Sequence, residues 1–323
     1  MTSRRLFTLA ALAAGLPAAH TVAASTPVPA LRIGFQKSAV NLVIVKQQRL
    51  LEKRLPGTTV AWLEFPAGPQ LLEALAVGAL DFGLTGDTPP VFAQAAGKDL
   101  VYVGAEPAKP LSSALLVPAD SPLRTLEDLR GRRIAFQKGS SSHYLVVRAL
   151  DRARLQWRDI TPIYLPPADA RAAFEKGAVD AWAIWDPFYA ATELSIKPRV
   201  LANGTGLSGN NSFYLASRPL VDQHPQVLKV LFDALTEADA FVQSDRKEAA
   251  RLVSEFSGLN LATVHLVLSR RPRSPVAPLT PQTVADQQRV ADTFARLGLI
   301  PKPLQVAQLV WQPGRALPVV AAR

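Results

Sequence analysis

At 323 residues and 48% apolar content, the chain is long enough for two ordinary domains and too apolar to be disordered. The absence of cysteine excludes disulfides, thiolate metal sites, a cysteine nucleophile and a lipid anchor on cysteine. The net charge of +10 reads either as arginines spread over solvated faces or as long-range attraction for small anions. Nucleic acid is not an expected partner, because the one dense basic cluster, Arg270-Arg271-Pro272-Arg273, sits in no recognition motif.

Residues 1–24 read as a secretory signal peptide. Arg4 and Arg5 supply a charged start, residues 6–16 an apolar stretch, and Val22-Ala23-Ala24 the small residues before a cut at Ser25. Ser3-Arg4-Arg5-Leu6-Phe7 matches a twin-arginine export signal in part. No later stretch is apolar enough to span a bilayer. The expected product is soluble and exported, periplasmic in a two-membrane bacterium.

Strands are predicted at residues 31–36, 59–65, 79–85, 100–104, 113–117 and 133–136. Helices are predicted at 41–55, 69–77, 91–96 and from about Ser142 onward. This alternation predicts parallel sheets with helices on both faces. Residues 210–217 read as a strand returning to a first lobe, with residues 112–118 as its outgoing counterpart, followed by helices at 226–242, 246–257, 261–268 and 280–296, expected to cover the outside of that lobe.

The first unit recurs. Arg32-Ile33-Gly34-Phe35-Gln36-Lys37-Ser38 reappears as Arg133-Ile134-Ala135-Phe136-Gln137-Lys138-Gly139. Gly78-Ala79-Leu80-Asp81 reappears as Gly177-Ala178-Val179-Asp180, and Asp87 as Asp186. The spacing is too long for a solenoid. It predicts two similar α/β lobes joined by a two-strand hinge: residues 25–115 and 214–323 in one, 116–213 in the other. Each repeated glycine is expected to end a helix in a left-handed conformation, and Asp81 and Asp180 to be structural.

Ligands of parallel α/β sheets sit beyond the carboxyl ends of the strands. That selects the turns carrying Gln36, Gly86-Asp87-Thr88, Ser140-Ser141-Ser142 and Trp185-Asp186, with Asn210 and Asn211 near the returning strand. The Gly139-Ser140-Ser141-Ser142 loop before a helix offers free amides, hydroxyls and the positive end of the helix dipole to an anion; serine there also serves as an ordinary N-cap. A sulfonate has three acceptor oxygens and no proton, so it suits a site of donors. Asp87 and Asp186 then either meet an amine or hydroxyl on the ligand or brace the loops. Trp185 is expected to wall an apolar tail and Trp182 to pack in the core. His143 reads as a capping or surface residue, Lys37 and Lys138 as solvated. No histidine cluster has metal spacing and no nucleophile elbow occurs, so neither metal, cofactor nor catalysis is expected.

The runs at residues 65–75, 85–97, 135–143, 167–174 and 179–187, with Trp311-Gln312-Pro313, resemble the aliphatic-sulfonate-binding proteins of bacterial ABC transporters. The resemblance implies a two-lobed periplasmic binding protein, monomeric and not an enzyme, that delivers alkanesulfonates to a membrane permease for sulfur supply. It implies a sulfonate held by residues 140–142, with Gln36, Gly86-Asp87-Thr88 and Trp185-Asp186 completing the cleft. Related chemistry leaves taurine, a phosphonate or a thiamine precursor as other ligands. A thiamine-pyrimidine enzyme on the same fold is disfavoured by the missing cysteine, the scattered histidines and the signal peptide.

Overall fold

The structure, a computed structural model, describes residues 28–312. The expected signal peptide, and Pro313 of the Trp-Gln-Pro ending, lie outside the described residues. The first run of elements is β1 (Ala30–Phe35), α1 (Val40–Gln47), α2 (Leu50–Arg54), β2 (Thr59–Glu64), α3 (Gly68–Ala76), β3 (Phe82–Gly86), α4 (Thr88–Ala95) and β4 (Val101–Glu106). The second is β5 (Ser113–Val117), β6 (Arg133–Phe136), α5 (Ser141–Arg152), β7 (Thr161–Tyr164), α6 (Pro167–Glu175), β8 (Ala181–Trp185), α7 (Phe188–Ile196) and β9 (Arg199–Asn203). The chain ends with β10 (Ser212–Ala216), α8 (Arg218–Gln223), α9 (Pro225–Ser244), α10 (Arg246–Ser257), α11 (Leu261–Arg270) and α12 (Pro281–Arg296). The helix expected over residues 41–55 is two helices, because Arg49 is left-handed at φ 53°, and α2 turns Leu50 and Leu51 into the core.

These strands form two five-stranded sheets, ordered β2-β1-β3-β10-β4 and β7-β6-β8-β5-β9. The two orders are the same when β6 to β9 are matched to β1 to β4, with β5 in the place of β10. The sheets are mixed rather than parallel throughout. β10 runs antiparallel between β3 and β4, and β5 antiparallel between β8 and β9. Each is the strand that arrives after the chain has crossed from the other sheet, and it enters against the direction of its neighbours. The crossings run through residues 107–112 and 204–211, so the expected boundaries at 115/116 and 213/214 fall inside β5 and β10.

The repeat has a structural cause. Arg32 donates from its backbone N–H and Nε to Asp81 Oδ2 at 2.8 and 2.9 Å, from Nη2 to Oδ1 at 2.6 Å, and from Nη1 to the Gly78 carbonyl. Arg133 makes the same set to Asp180 and Gly177, with carboxylate bonds between 2.7 and 3.2 Å. Each clamp ties the start of the first strand to the turn that launches the third. Gly78 and Gly177 sit at φ +74° and +67°, the left-handed helix ends that only glycine adopts without cost.

One face of the first sheet packs on α1, α9, α10 and α11, the other on α3, α4 and α12. The second sheet packs on α5 on one face and α6 on the other, and Trp182 is fully buried there. The C-terminal helices cover the first sheet as expected, but the end of α11 also reaches α7 of the second, where Arg270 pairs with Asp186 and Glu193.

Candidate functional site

A cleft opens between the two sheets. Its rim is the carboxyl end of the parallel strands. Gln36 follows β1, Gly86 ends β3, Ser140 and Ser141 follow β6, Trp185 ends β8 and Asp186 follows it; all six line the cleft. Because β5 and β10 run the other way, their first residues lie at this same rim. That brings in Ser112 and Ser212, and with them Asn210, Lys109 after β4, Arg271 after α11, and the apolar Val40, Leu84, Pro89 and Val267.

The serine loop is built by Gly139, left-handed at φ +72°, and Ser140, extended at the helix start. Ser140 Oγ donates to the Gln137 carbonyl at 2.7 Å rather than capping α5. The Gly139 N–H donates to His143 Nδ1 at 3.3 Å. As at any helix start, the Ser141 and Ser142 amides have no intrahelical acceptor. His143 is not a surface residue. It is wholly buried among Phe92, Phe136, Trp157, Tyr164 and Phe294, and burial, with Lys138 nearby, holds its imidazole down at about 3.

Four expected residues do not line the cleft. Asp87 is buried behind Gly86. Burial raises its carboxyl above the ordinary value, against hydrogen bonds from Ser141 and Thr88. Thr88 is spent on Asp87, its Oγ1 donating to Oδ1 at 2.9 Å. Ser142 is fully buried, and its Oγ has no protein partner. Asn211 faces a separate pocket that also includes Asp87, whereas its neighbour Asn210 lines the cleft. Of the two aspartates, Asp87 thus braces a loop. Asp186 lines the cleft, accepts from the Ala190 N–H at 3.0 Å and from Arg270 at 3.2 Å, and leaves Oδ2 unpartnered. Burial pushes its carboxyl up to about 7 despite Arg270. Lys37 bonds the Ser257 carbonyl at 2.9 Å and Lys138 lies over the Tyr164 ring, both outside the cleft.

The largest omission from the sequence reading is a buried ion cluster on the cleft wall. Arg271 donates through both terminal nitrogens to Glu106 at 3.2 Å each, and Lys109 Nζ donates to Glu106 at 3.1 Å and to Ser212 Oγ at 2.6 Å. Tyr214 donates to the same carboxylate at 2.8 Å. Burial alone would raise Glu106, but Arg271 and Lys109 outweigh it and hold the carboxyl at about 2. Two signals for this cluster were present: a lysine three residues after a strand-end glutamate, and the Arg270-Arg271 pair. The site as a whole is rich in donors, with Trp185 and a short apolar floor beside them. Among the described residues no group of side chains could hold a metal ion, and no helix is long and apolar enough to cross a membrane.

Two matched α/β halves around one donor-lined cleft define a two-lobed binding protein of the periplasmic type. The model of the NMT1/THI5-like family matches residues 57–249. The chain is 49% identical to the putative aliphatic sulfonates-binding protein of Escherichia coli over 93% of its own length and 95% of that protein. It is 31% identical to the protein of the same description in Bacillus subtilis, over 87% and 85% of the two chains. The alkanesulfonate-binding protein SsuA of Xanthomonas axonopodis pv. citri, solved bound to MOPS, superposes with a TM-score of 0.85 at 50% identity, covering 89% of this chain and 99% of that one. The chain belongs to the NMT1/THI5-like family and, within it, to the aliphatic-sulfonate-binding proteins.

Proposed function

We propose that this protein is the periplasmic solute-binding component of an ABC importer, capturing aliphatic sulfonates between its two halves and handing them to an inner-membrane permease as a sulfur source. The observation that carries the reading is the meeting of the serine loop with the first sheet's rim: a Cβ on Gly86 would overlap the Ser141 hydroxyl, so the two repeated turns close on one small space. A sulfonate placed there takes its oxygens to the free amides at the start of α5, beside Ser140 and Ser141, whose hydroxyls are held by the Gln137 carbonyl and by Asp87, while Trp185 and the apolar floor receive its tail. Tail burial adds about 25 cal/mol per Å². MOPS, bound by the Xanthomonas relative, is itself a propanesulfonate. The halves act as lobes that shut on the ligand by a hinge motion through the two crossings. No group in the cleft needs to react.

Calorimetry on the mature protein with propanesulfonate tests this. Ser141→Ala, which takes from Asp87 one of the hydroxyl donors that hold it behind the head group, weakens binding about tenfold. Ser141→Asp, which sets a carboxylate against the head group, abolishes it. Unchanged affinity in both variants would place the ligand elsewhere.

A further inference from the structure

His143 holds the turn before α5 at two points. Its imidazole Nδ1 accepts the Gly139 N–H at 3.3 Å, and its backbone N–H donates to the Ser140 carbonyl at 2.9 Å. It is the third residue of α5, the place a glutamate or glutamine takes in a capping box. A carboxylate there would set negative charge beside the amides that are to receive a sulfonate, whereas a neutral imidazole accepts without adding charge. Accepting at Nδ1 puts the ring's one proton on Nε2, which has no protein acceptor and lies among aromatic rings. An imidazolium carries N–H at both nitrogens, so on protonation the Gly139 N–H faces a donor and its bond is lost.

The pocket that keeps this ring neutral is assembled by both halves. Phe136, Trp157 and Tyr164 belong to the second, with ring centroids 5.1, 5.1 and 6.1 Å from the imidazole. Phe92 of α4 and Phe294 of α12, at 5.7 and 4.9 Å, belong to the first. Phe92 also meets the turn itself, since a Cβ on Gly139 would lie 3.4 Å from its ring. Ser141 and His143 share the first turn of α5, while Gly86 and Phe92 lie on either side of the start of α4. A hinge motion that draws Ser141 off Gly86 therefore draws His143 off Phe92 and lets water reach the imidazole. Of the charged groups on the surrounding elements, Lys138 beside the turn bears on the ring and opposes its protonation. α4 carries no charged residue. On α12, Arg296 pairs with Asp151 of α5, Arg289 with Asp286, and Asp292 accepts from Gln288. Beside Trp157, Arg158 is exposed and Asp159 pairs with Arg130. Burial raises the Tyr164 phenol, which stays neutral.

Resting on the sulfonate reading and the closure above, we propose that His143 is the positioning residue of the head-group site: clamped as a neutral imidazole by rings of both halves, it fixes the Gly139–Ser140 turn so that the α5 amides meet the sulfonate, and it releases that turn when the halves part and the ring takes a proton. Capture of a sulfonate then expels a proton that the sulfonate itself never carried. The sign follows from burial. Shut in, the imidazole is held at about 3; in water it returns to its ordinary 6.5. Below that value the open state holds the extra proton, so affinity falls as pH falls. Asp186, beside Arg270 and Glu193, is shifted the other way by its own burial, and it contributes alike to the parent and to His143 variants.

Two measurements on the mature protein with propanesulfonate test the assignment. NMR of histidine-labelled protein follows the imidazole itself, with His224 and His265, which do not line the cleft, as references. His143 titrates near its ordinary 6.5 without the sulfonate; with it, the ring stays neutral, its proton on Nε2, down to about pH 4. Calorimetry compares variants. At about pH 7.5, His143→Phe, which keeps an aromatic ring and removes the acceptor, weakens binding about tenfold, and His143→Gln, which restores an uncharged acceptor, recovers most of the loss. From about pH 7 to about pH 5 the parent loses about 20-fold in affinity relative to His143→Gln. Melting curves check folding; if neither variant folds, the NMR titration of the parent decides. An imidazole that titrates at the same pH with and without the sulfonate, or a His143→Phe protein that binds as the parent does, overturns the proposal and leaves the sulfonate reading standing. A parent that binds no propanesulfonate overturns the sulfonate reading and this proposal with it.

Discussion

Asp186 and His143 carry opposite proton penalties within one molecule. Asp186 ionises at about 7 when folded, and from its ordinary value of 3.8 when unfolded. Between those values the folded state holds the extra proton, so stability falls as pH rises, by on the order of 4 kcal/mol across the window. His143 is reversed: about 3 when folded against 6.5. There the unfolded state holds the extra proton, and stability rises with pH by a similar amount. From about pH 4 to 6.5 the two slopes cancel. Asp186→Asn, which keeps an acceptor for the Ala190 N–H, therefore uncovers a stability that climbs with pH through this window relative to the parent. His143→Phe uncovers one that falls. Urea unfolding at several pH values reads the difference, and curves parallel to the parent's would contradict both assignments. His143 also shows where residue type misleads: a polar side chain after three serines reads as cap or surface, and only the five rings packed around it put it in the interior.

At the scale of elements, the two arginine–aspartate clamps are the same device used twice. Each carboxylate accepts a backbone N–H and two guanidinium nitrogens, and the arginines are nearly half exposed. Exposure limits their worth, so Asp81→Asn and Asp180→Asn should each cost about 1 kcal/mol. The clamps sit in different sheets and share no partner. Their double variant should be additive to within about 0.5 kcal/mol, read as urea midpoints at constant slope. A deficit well beyond the sum would mean that the sheets unfold as one coupled unit through these turns. The clamps were legible in the sequence, since strand starts, glycine helix ends and the following aspartates repeat in order. The exchange of β5 and β10 was legible as two crossings, but their antiparallel direction was not, because an antiparallel strand and a parallel one have the same alternation of side chains.

Over the whole molecule, closure is the proposed working motion, and Arg270 is the side chain that ties α11, attached to the first sheet, to Asp186 and Glu193 of the second while its guanidinium lies over the Tyr189 ring. Arg270→Met removes these ties and keeps much of the apolar stem. Affinity for propanesulfonate should drop about tenfold, mostly through faster release, and the ligand-free protein should show a larger radius of gyration in solution scattering. Unchanged release and an unchanged scattering curve would mean that Arg270 takes no part in holding the halves together.

Local chemistry in the chain determined the order of strands and helices, the doubling of the unit and the four turns that reach the rim, because periodicity, helix-ending glycines and loop position beyond a strand are properties of neighbours. It also placed Gln36, Ser140, Ser141, Trp185 and Asp186 at the cleft. Only the tertiary structure decided that Asp87 and Thr88 bond each other behind Gly86, and that Ser112, Ser212, Lys109 and Arg271 complete the wall. Glu106 and Arg271 are 165 residues apart, and no local pattern encodes a pairing at that distance. It follows from two antiparallel strands entering a foreign sheet and one helix ending against it.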